Sequence, residues 1–276
     1  MEKVWFITGA GKGFGLEIAK AALSVGDKVI ATLRKTGSEL ESVLKDHKNL
    51  LILRMDVTNE LQVKLAVDEG INHFGKIDIV VNNAGFGLIS SVEEASDKEA
   101  RGQFDTNVFG ILNVSRAVLP YLRKQRSGHV INISAYFAFG TIPGWGIYSA
   151  TKFAVEGLSE AMAMELNPLG IQVTVVEPGM FRTNFLDESS FVQADLIIED
   201  YDQTSGKIKA LTSQFNGAQP GDPSKLGQAL LKLVNLENPP VHLPLGKDCL
   251  DFYEKNKSLR ENEMVKWKEM ILSTDF

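Results

Sequence analysis

The sequence predicts a doubly wound α/β fold, a seven-stranded parallel sheet wrapped by helices as one compact domain over residues 1–276. Three observations carry this. Short runs rich in Val, Ile and Leu recur along the whole chain, and longer stretches of helical period separate them. The runs are too uniformly apolar to have a solvent face, as parallel strands covered on both sides require. Alternation of this kind is the pattern of an open parallel sheet.

In chain order the strands are expected at 3–8 (KVWFIT), 28–33 (KVIATL), 49–57 (NLLILRMDV), 77–83 (IDIVVNN), 128–134 (GHVINIS), 171–178 (IQVTVVEP) and 241–245 (VHLPL). Two helix starts carry the spacing of capping boxes, Asn59 with Gln62 and Ser96 with Glu99. In such a box the cap side chain and the residue three later satisfy each other's free backbone N–H groups. Residues 184–222 mix aromatics, acids and glycines after the sixth strand. An excursion from the C-terminal edge of a parallel sheet is where a substrate-binding lid belongs. Residues 248–276 are a charged, helical tail, expected to be solvated.

Composition narrows the function. Of 276 residues 44% are apolar and 23% charged, with a net charge of −6. Binding nucleic acid or an anionic membrane needs clustered positive charge, so neither partner is expected. One cysteine, Cys249, allows no internal disulfide, and the chain starts at Met1 with strand-like sequence. A cytoplasmic location is therefore expected. Apolar runs such as VVNNAGFGLI are broken well short of the roughly 18 residues of a spanning helix. No metal-ligand set is read from the sequence.

The first strand runs directly into TGAGKGFG, Thr8 to Gly15, and then into helical LEIAKAAL. Glycines at 9, 13 and 15, with Gly11 and Phe14 between them, let the backbone turn sharply and let a pyrophosphate approach main-chain N–H groups at a helix N-terminus. A carboxylate ending the second strand would bind an NAD ribose and repel a 2′-phosphate. That position is Leu33, followed by Arg34 and Lys35, while Lys12 adds charge from the loop. Cations there suit a phosphate dianion, and the expected cofactor is NADP(H). Further along, Tyr148 stands four residues before Lys152 at a helix start, on one face.

With Asp56-Val57, NNAG at 82–85, NVFG at 107–110, YSATK at 148–152 and PGMFRT at 178–183 all in order, the chain resembles the short-chain dehydrogenase/reductase family over residues 3 to about 185. The resemblance implies a Rossmann-type fold and an NADP(H)-dependent carbonyl reductase or ketoreductase acting on a small carbonyl or alcohol. It implies that Asp56 and Val57 contact adenine, that Asn83, Ala84 and Gly85 line the cofactor, and that Pro178, Gly179 and Thr183 hold the nicotinamide amide. Tyr148 would be the general acid. A free tyrosine has a pKa of about 10, so the Lys152 ammonium is expected to stabilise the phenolate. Asn107, early in a long helix, matches the asparagine that anchors a water relay to the lysine.

One departure stands out. The family's substrate-binding serine falls thirteen residues before the tyrosine, which is Ala135 here. Ser134 is one residue off, and strand alternation should turn its hydroxyl to the other face. Three accounts fit: an engineered Ser→Ala exchange, a natural variant, or Ser134 serving after a local shift. Turnover is expected to be reduced. Phe86, Phe137, Trp145, Met180 and Phe185 follow motifs that end near the nicotinamide, which implies an apolar pocket for a ketone or aldehyde of moderate size. The alternative is a non-catalytic NADP(H)-binding sensor or scaffold, supported by Ala135. Apolar surface on KFAVEGLSEAMAMEL (152–166) leads us to expect a homodimer or homotetramer.

Overall fold

A computed structural model describes residues 2–187 and 190–276. Nine strands are found among them: β1 Val4–Ile7, β2 Lys28–Leu33, β3 Leu50–Arg54, β4 Ile79–Asn82, β5 Gly87–Ile89, β6 Gly128–Ile133, β7 Ile171–Pro178, β8 Phe191–Gln193 and β9 His242–Leu245. Seven form one sheet in the order β3-β2-β1-β4-β6-β7-β9, every pair parallel. All seven runs expected from sequence are strands, β2 and β7 with the expected bounds and the other five shorter. β5 and β8 pair separately, Gly87 with Phe191 through Ile89 with Gln193, and the sequence reading missed them.

The helices are α1 Gly13–Ser24, α2 Glu39–Leu44, α3 Glu60–Phe74, α4 Asp97–Phe104, α5 Gly110–Gln125, α6 Gly146–Leu166, α7 Lys207–Gln214, α8 Pro223–Leu233, α9 Lys247–Lys266 and α10 Lys268–Leu272. They cover both faces of the sheet, and alternate strand residues serve the two sides. Ile79, Val81, Ile131 and Val176 pack with α1 and α8, against Leu16, Ile18, Leu226 and Leu230. Val80, Val130 and Val173 pack on the opposite face with Val63, Val67, Val114 and Met162 of α3, α5 and α6. Burial on both faces is why these strands read as unbroken apolar runs.

Helix starts agree with the local chemistry, with one difference. Ser96 and Glu99 form the full capping box. Asn59 accepts from the Gln62 N–H, but the Gln62 side chain turns back to accept from Asp56 N–H at 2.9 Å, so only half of that box forms. A third box, Ser38 with Glu41, starts α2. Between α4 and α5 the helix widens to a π-turn over Asp105–Phe109, which reaims Asn107.

The strand order reverses direction between β1 and β4, so their loops part and leave a crevice beyond the carboxyl ends. The described residues of the 184–222 segment fold over it as β8, α7 and short 3₁₀ and π turns. Lys209 of α7 and the buried Glu94 pin this segment with an ion pair at 2.6 Å, and the Ile198 N–H donates to Glu94 at 3.0 Å. Burial alone would raise the Glu94 carboxyl, but the donors Lys209, Ile198 and Ser91 hold it down at about 2. The tail corrects the expectation of a solvated helix. The first turns of α9 pack inward, with Cys249 buried and Phe252 stacked edge-on against Phe137, whereas residues from Lys257 onward are exposed.

Candidate active site

One continuous cavity of ≈ 1220 Å³ occupies the crevice. At its entrance stands the glycine loop. Gly9 and Gly13 take φ of 64° and 56°, a left-handed backbone in which a side chain is strained. A Cβ on Gly15 would lie 2.6 Å from the Gly9 carbonyl oxygen and 2.7 Å from Asn83 Nδ2, so α1 can only seat this closely with glycine there. The Asn83 amide braces the loop, donating to Thr8 O at 2.9 Å and Gly9 O at 3.0 Å. Thr8 Oγ1 in turn accepts the N–H groups of Asn83 and Ala84. No side chain caps α1, so its first N–H groups face the cavity.

Gly9, Gly11, Lys12, Gly13, Phe14, Arg34, Asp56, Val57, Asn83, Ala84 and Gly85, the residues read from sequence as cofactor contacts, line this half. Lys35 and Ser38 line it too. Gly15 is buried behind it and does not reach the lumen. Arg34 is exposed, and its guanidinium makes no ion pair or hydrogen bond among the described residues. Burial lowers Lys12, while Asp187 acts in the opposite direction. The cleft thus offers backbone donors, open glycines and a cationic rim, which fits a dinucleotide carrying an extra phosphate.

Deeper in, Tyr148, Lys152, Pro178, Gly179 and Thr183 line the same cavity, with Ala135, Phe86, Phe137, Trp145, Met180 and Phe185. Phe137 stacks on Trp145 at 4.9 Å and meets Tyr148 edge-on at 6.0 Å. Phe185 reaches the Tyr148 ring at 5.7 Å. The wall is completed by Ile142 of the loop before α6, by Ile208, Leu211 and Phe215 of the 184–222 segment, and by Phe252 of α9, none of which the sequence reading assigned. A helical-period trace existed for Phe252, which follows buried Cys249 by three residues; the lid residues carried no such signal.

Tyr148 and Lys152 depart from the expected electrostatics. Burial pushes the Tyr148 phenol above its ordinary value, with Tyr136 adding to the rise. Burial draws Lys152 down to about 8, partly offset by Glu156. Lys152 Nζ donates to Ile133 O at 3.0 Å and lies 5.4 Å from the Tyr148 ring centre. Its charge therefore reaches the phenol through space, without a direct hydrogen bond. Asn107 stands in the π-turn and not in a regular helix. Its amide donates to Phe86 O at 3.0 Å and Thr151 Oγ1 at 3.1 Å, and its Oδ1 accepts Phe86 N–H at 3.1 Å. It thereby fixes the Phe86 backbone and ties it to α6.

Ala135 continues β6 in extended backbone and packs with Ile89, Phe137, Trp145 and Tyr148. The Ser134 hydroxyl is buried beside Glu156 of α6, and Ser134 lines the same cavity as Ala135 and Tyr148. Burial raises Glu156, with the Ser134 hydroxyl acting against the rise. Burial and the neighbouring Glu156 lift Glu177 to about 9.

Sheet order, glycine loop and cleft define the doubly wound, nucleotide-binding class of α/β protein. A short chain dehydrogenase family model matches residues 3–192. The 3-ketodihydrosphingosine reductase of Bacteroides thetaiotaomicron is 38% identical over 267 residues, covering 96% of each chain. A short-chain dehydrogenase from Streptomyces avermitilis superposes with a TM-score of 0.92 at 35% identity, covering 100% of both chains. The structure of ElxO with NADP bound follows at 0.74 and 25% identity, covering 91% of this chain and 100% of that one. The chain belongs to the short-chain dehydrogenase/reductase family and is an oxidoreductase.

Proposed function

We propose that the chain is an NADP(H)-dependent carbonyl reductase for a hydrophobic, lipid-like ketone, with Tyr148 as its acid/base. The observation that carries the reading is the single cavity joining a glycine loop with a cationic rim to an aromatic chamber floored by Tyr148 and Lys152. The NADP in ElxO supports the cofactor, as does the absence of a carboxylate at Leu33. The name of the Bacteroides relative supports a ketone on a long chain, and the aromatic and aliphatic lining beyond Lys152 agrees with it.

When bound, NADPH supplies the hydride. Tyr148 gives its proton to the carbonyl oxygen; protonated by burial, it is in the form that reduction needs. Lys152 places positive charge next to the phenolate left behind. Asn107 acts as a positioning residue for Phe86 and for the α6 turn that holds both. Pro178, Gly179 and Thr183 form the wall where the carboxamide would rest. With Ala135 in place of a hydroxyl, the substrate oxygen receives one donor fewer, and turnover is slowed. Residues 184–222 close over the substrate as a lid. The exposed Phe153 and Met164 of α6 support assembly as a homodimer or homotetramer.

Consumption of NADPH with a panel of long-chain, aryl and steroidal ketones tests the reading. Turnover with one class is the expected result. Ala135 also favours a second reading, a cofactor-binding sensor; absence of turnover even in Ala135→Ser, with NADPH binding intact, would establish that one instead.

A further inference from the structure

Outside the cavity, α6, β7 and β9 bring Glu156, Glu177 and His242 together at the β9 edge of the sheet. His242 Nδ1 lies 3.0 Å from Glu177 Oε1 and 3.3 Å from Glu156 Oε2. One ligand atom from each residue falls within 4.8 Å of the others. A tetrahedral zinc shell with nitrogen and oxygen ligands at about 2.0–2.2 Å has edges of about 3.3–3.6 Å. Small side-chain adjustments bring these atoms onto such a shell.

The polar accounting points the same way. Glu177 is fully buried, and its Oε2 has no hydrogen-bond partner. Glu156, 9% exposed, has the Ser134 hydroxyl, Glu177 and His242 as its polar neighbours, and neither of its carboxylate oxygens receives a well-aligned hydrogen bond. Buried carboxylates are ordinarily paired or coordinate a metal. The second ring nitrogen of His242, Nε2, lies 3.4 Å from Glu160 Oε1. A carboxylate on the far nitrogen is the usual companion of a metal-bound imidazole, because it fixes ring orientation and tautomer. The His242 side chain is 45% exposed, which supplies a path for the ion and room for a water as fourth ligand.

We propose that Glu156, Glu177 and His242 form a binding site for one divalent transition-metal ion, zinc being the type case, with Glu160 orienting the imidazole. None of the three lines the active-site cavity, so the ion is structural. It clamps β9, the last strand of the sheet, to α6 and β7. Mixed imidazole and carboxylate donors suit zinc and its neighbours better than calcium or magnesium.

The untagged full-length chain, stripped with chelator and dialysed against zinc chloride, is expected to retain one equivalent by elemental analysis and to melt at a higher temperature than the stripped form. Cobalt(II) added alone is expected to give the visible absorption of a four-coordinate site. His242→Ala and Glu156→Gln are each expected to weaken zinc binding by at least tenfold, and Glu160→Gln by about tenfold. NADPH affinity reports that each variant is folded, and metal content reads independently of turnover. Substoichiometric zinc on the wild-type chain would overturn the proposal, as would affinity unchanged in both His242→Ala and Glu156→Gln.

Discussion

Restoring the missing hydroxyl with Ala135→Ser is the most informative single change. Ala135 is 7% exposed in extended backbone, with φ −164° and ψ 160°, which serine adopts without strain. Ala135 packs with Tyr148 and Trp145 and lines the cavity, so the new Oγ is expected beside the Tyr148 ring. A preorganised donor to a developing oxyanion is worth about 10²- to 10³-fold, or about 2.7–4 kcal/mol. Without substrate, the same hydroxyl sits among aromatic rings and costs about 1–3 kcal/mol of stability if it finds no partner. For a chain of this size each kcal/mol lowers the melting temperature by about 2–4 °C. The variant is therefore expected to be slightly less stable and at least tenfold faster, with NADPH affinity little changed. Steady-state rates and a thermal melt on both forms measure this. Equal rates would refute the reasoning, because they would mean that the oxygen is held by another group.

Arg34→Glu is expected to raise the KM for NADPH by roughly 10- to 100-fold, the worth of a hydrogen bond to a charged group, while leaving NADH use within a few fold; initial-rate kinetics with both cofactors decide it. Phe252→Ala should change KM and preference among ketones, with cofactor affinity retained by fluorescence titration, because only the substrate half of the cavity loses a wall. Lys152 has its folded pKa near 8, below the ordinary 10.5. Below pH 8 both folded and unfolded chains carry its proton and the burial penalty is complete; between 8 and 10.5 the unfolded chain binds more protons, so this contribution to stability improves as pH rises. Reductase kcat/KM should fall over the same rise, as the cation beside Tyr148 is lost. A melt-against-pH series and a pH–rate profile, each repeated on Lys152→Met, show both trends or their absence.

Much of this was legible in the sequence because the relevant signals are local. Most sheet strands are runs rich in Val, Ile and Leu, and the glycine loop spells its own turn between β1 and α1. Tyr148 and Lys152 share a helix face by spacing alone. What stayed hidden depends on distant partners. β5 and β8 are three residues each, GLI and FVQ, and are strands only because they meet. Phe252 joins the substrate wall only because β9 returns α9 over the cleft. Asn107 is expected from its motif in a regular helix, and only the π-turn shows that its amide bonds to Phe86 and Thr151. Glu156, Glu177 and His242 lie on three separate elements, with no spacing to announce them. The lowered Lys152 and raised Tyr148 follow from burial, which a motif does not express.

The central claim is that Tyr148 moves the proton in a reduction carried out within this cavity. Its most direct test is turnover of a hydrophobic ketone by wild type and Tyr148→Phe at equal NADPH occupancy. Loss of the phenolic proton is expected to reduce kcat by about 10²- to 10⁴-fold with the cofactor still bound. A Tyr148→Phe enzyme that turned over at the wild-type rate would contradict the account.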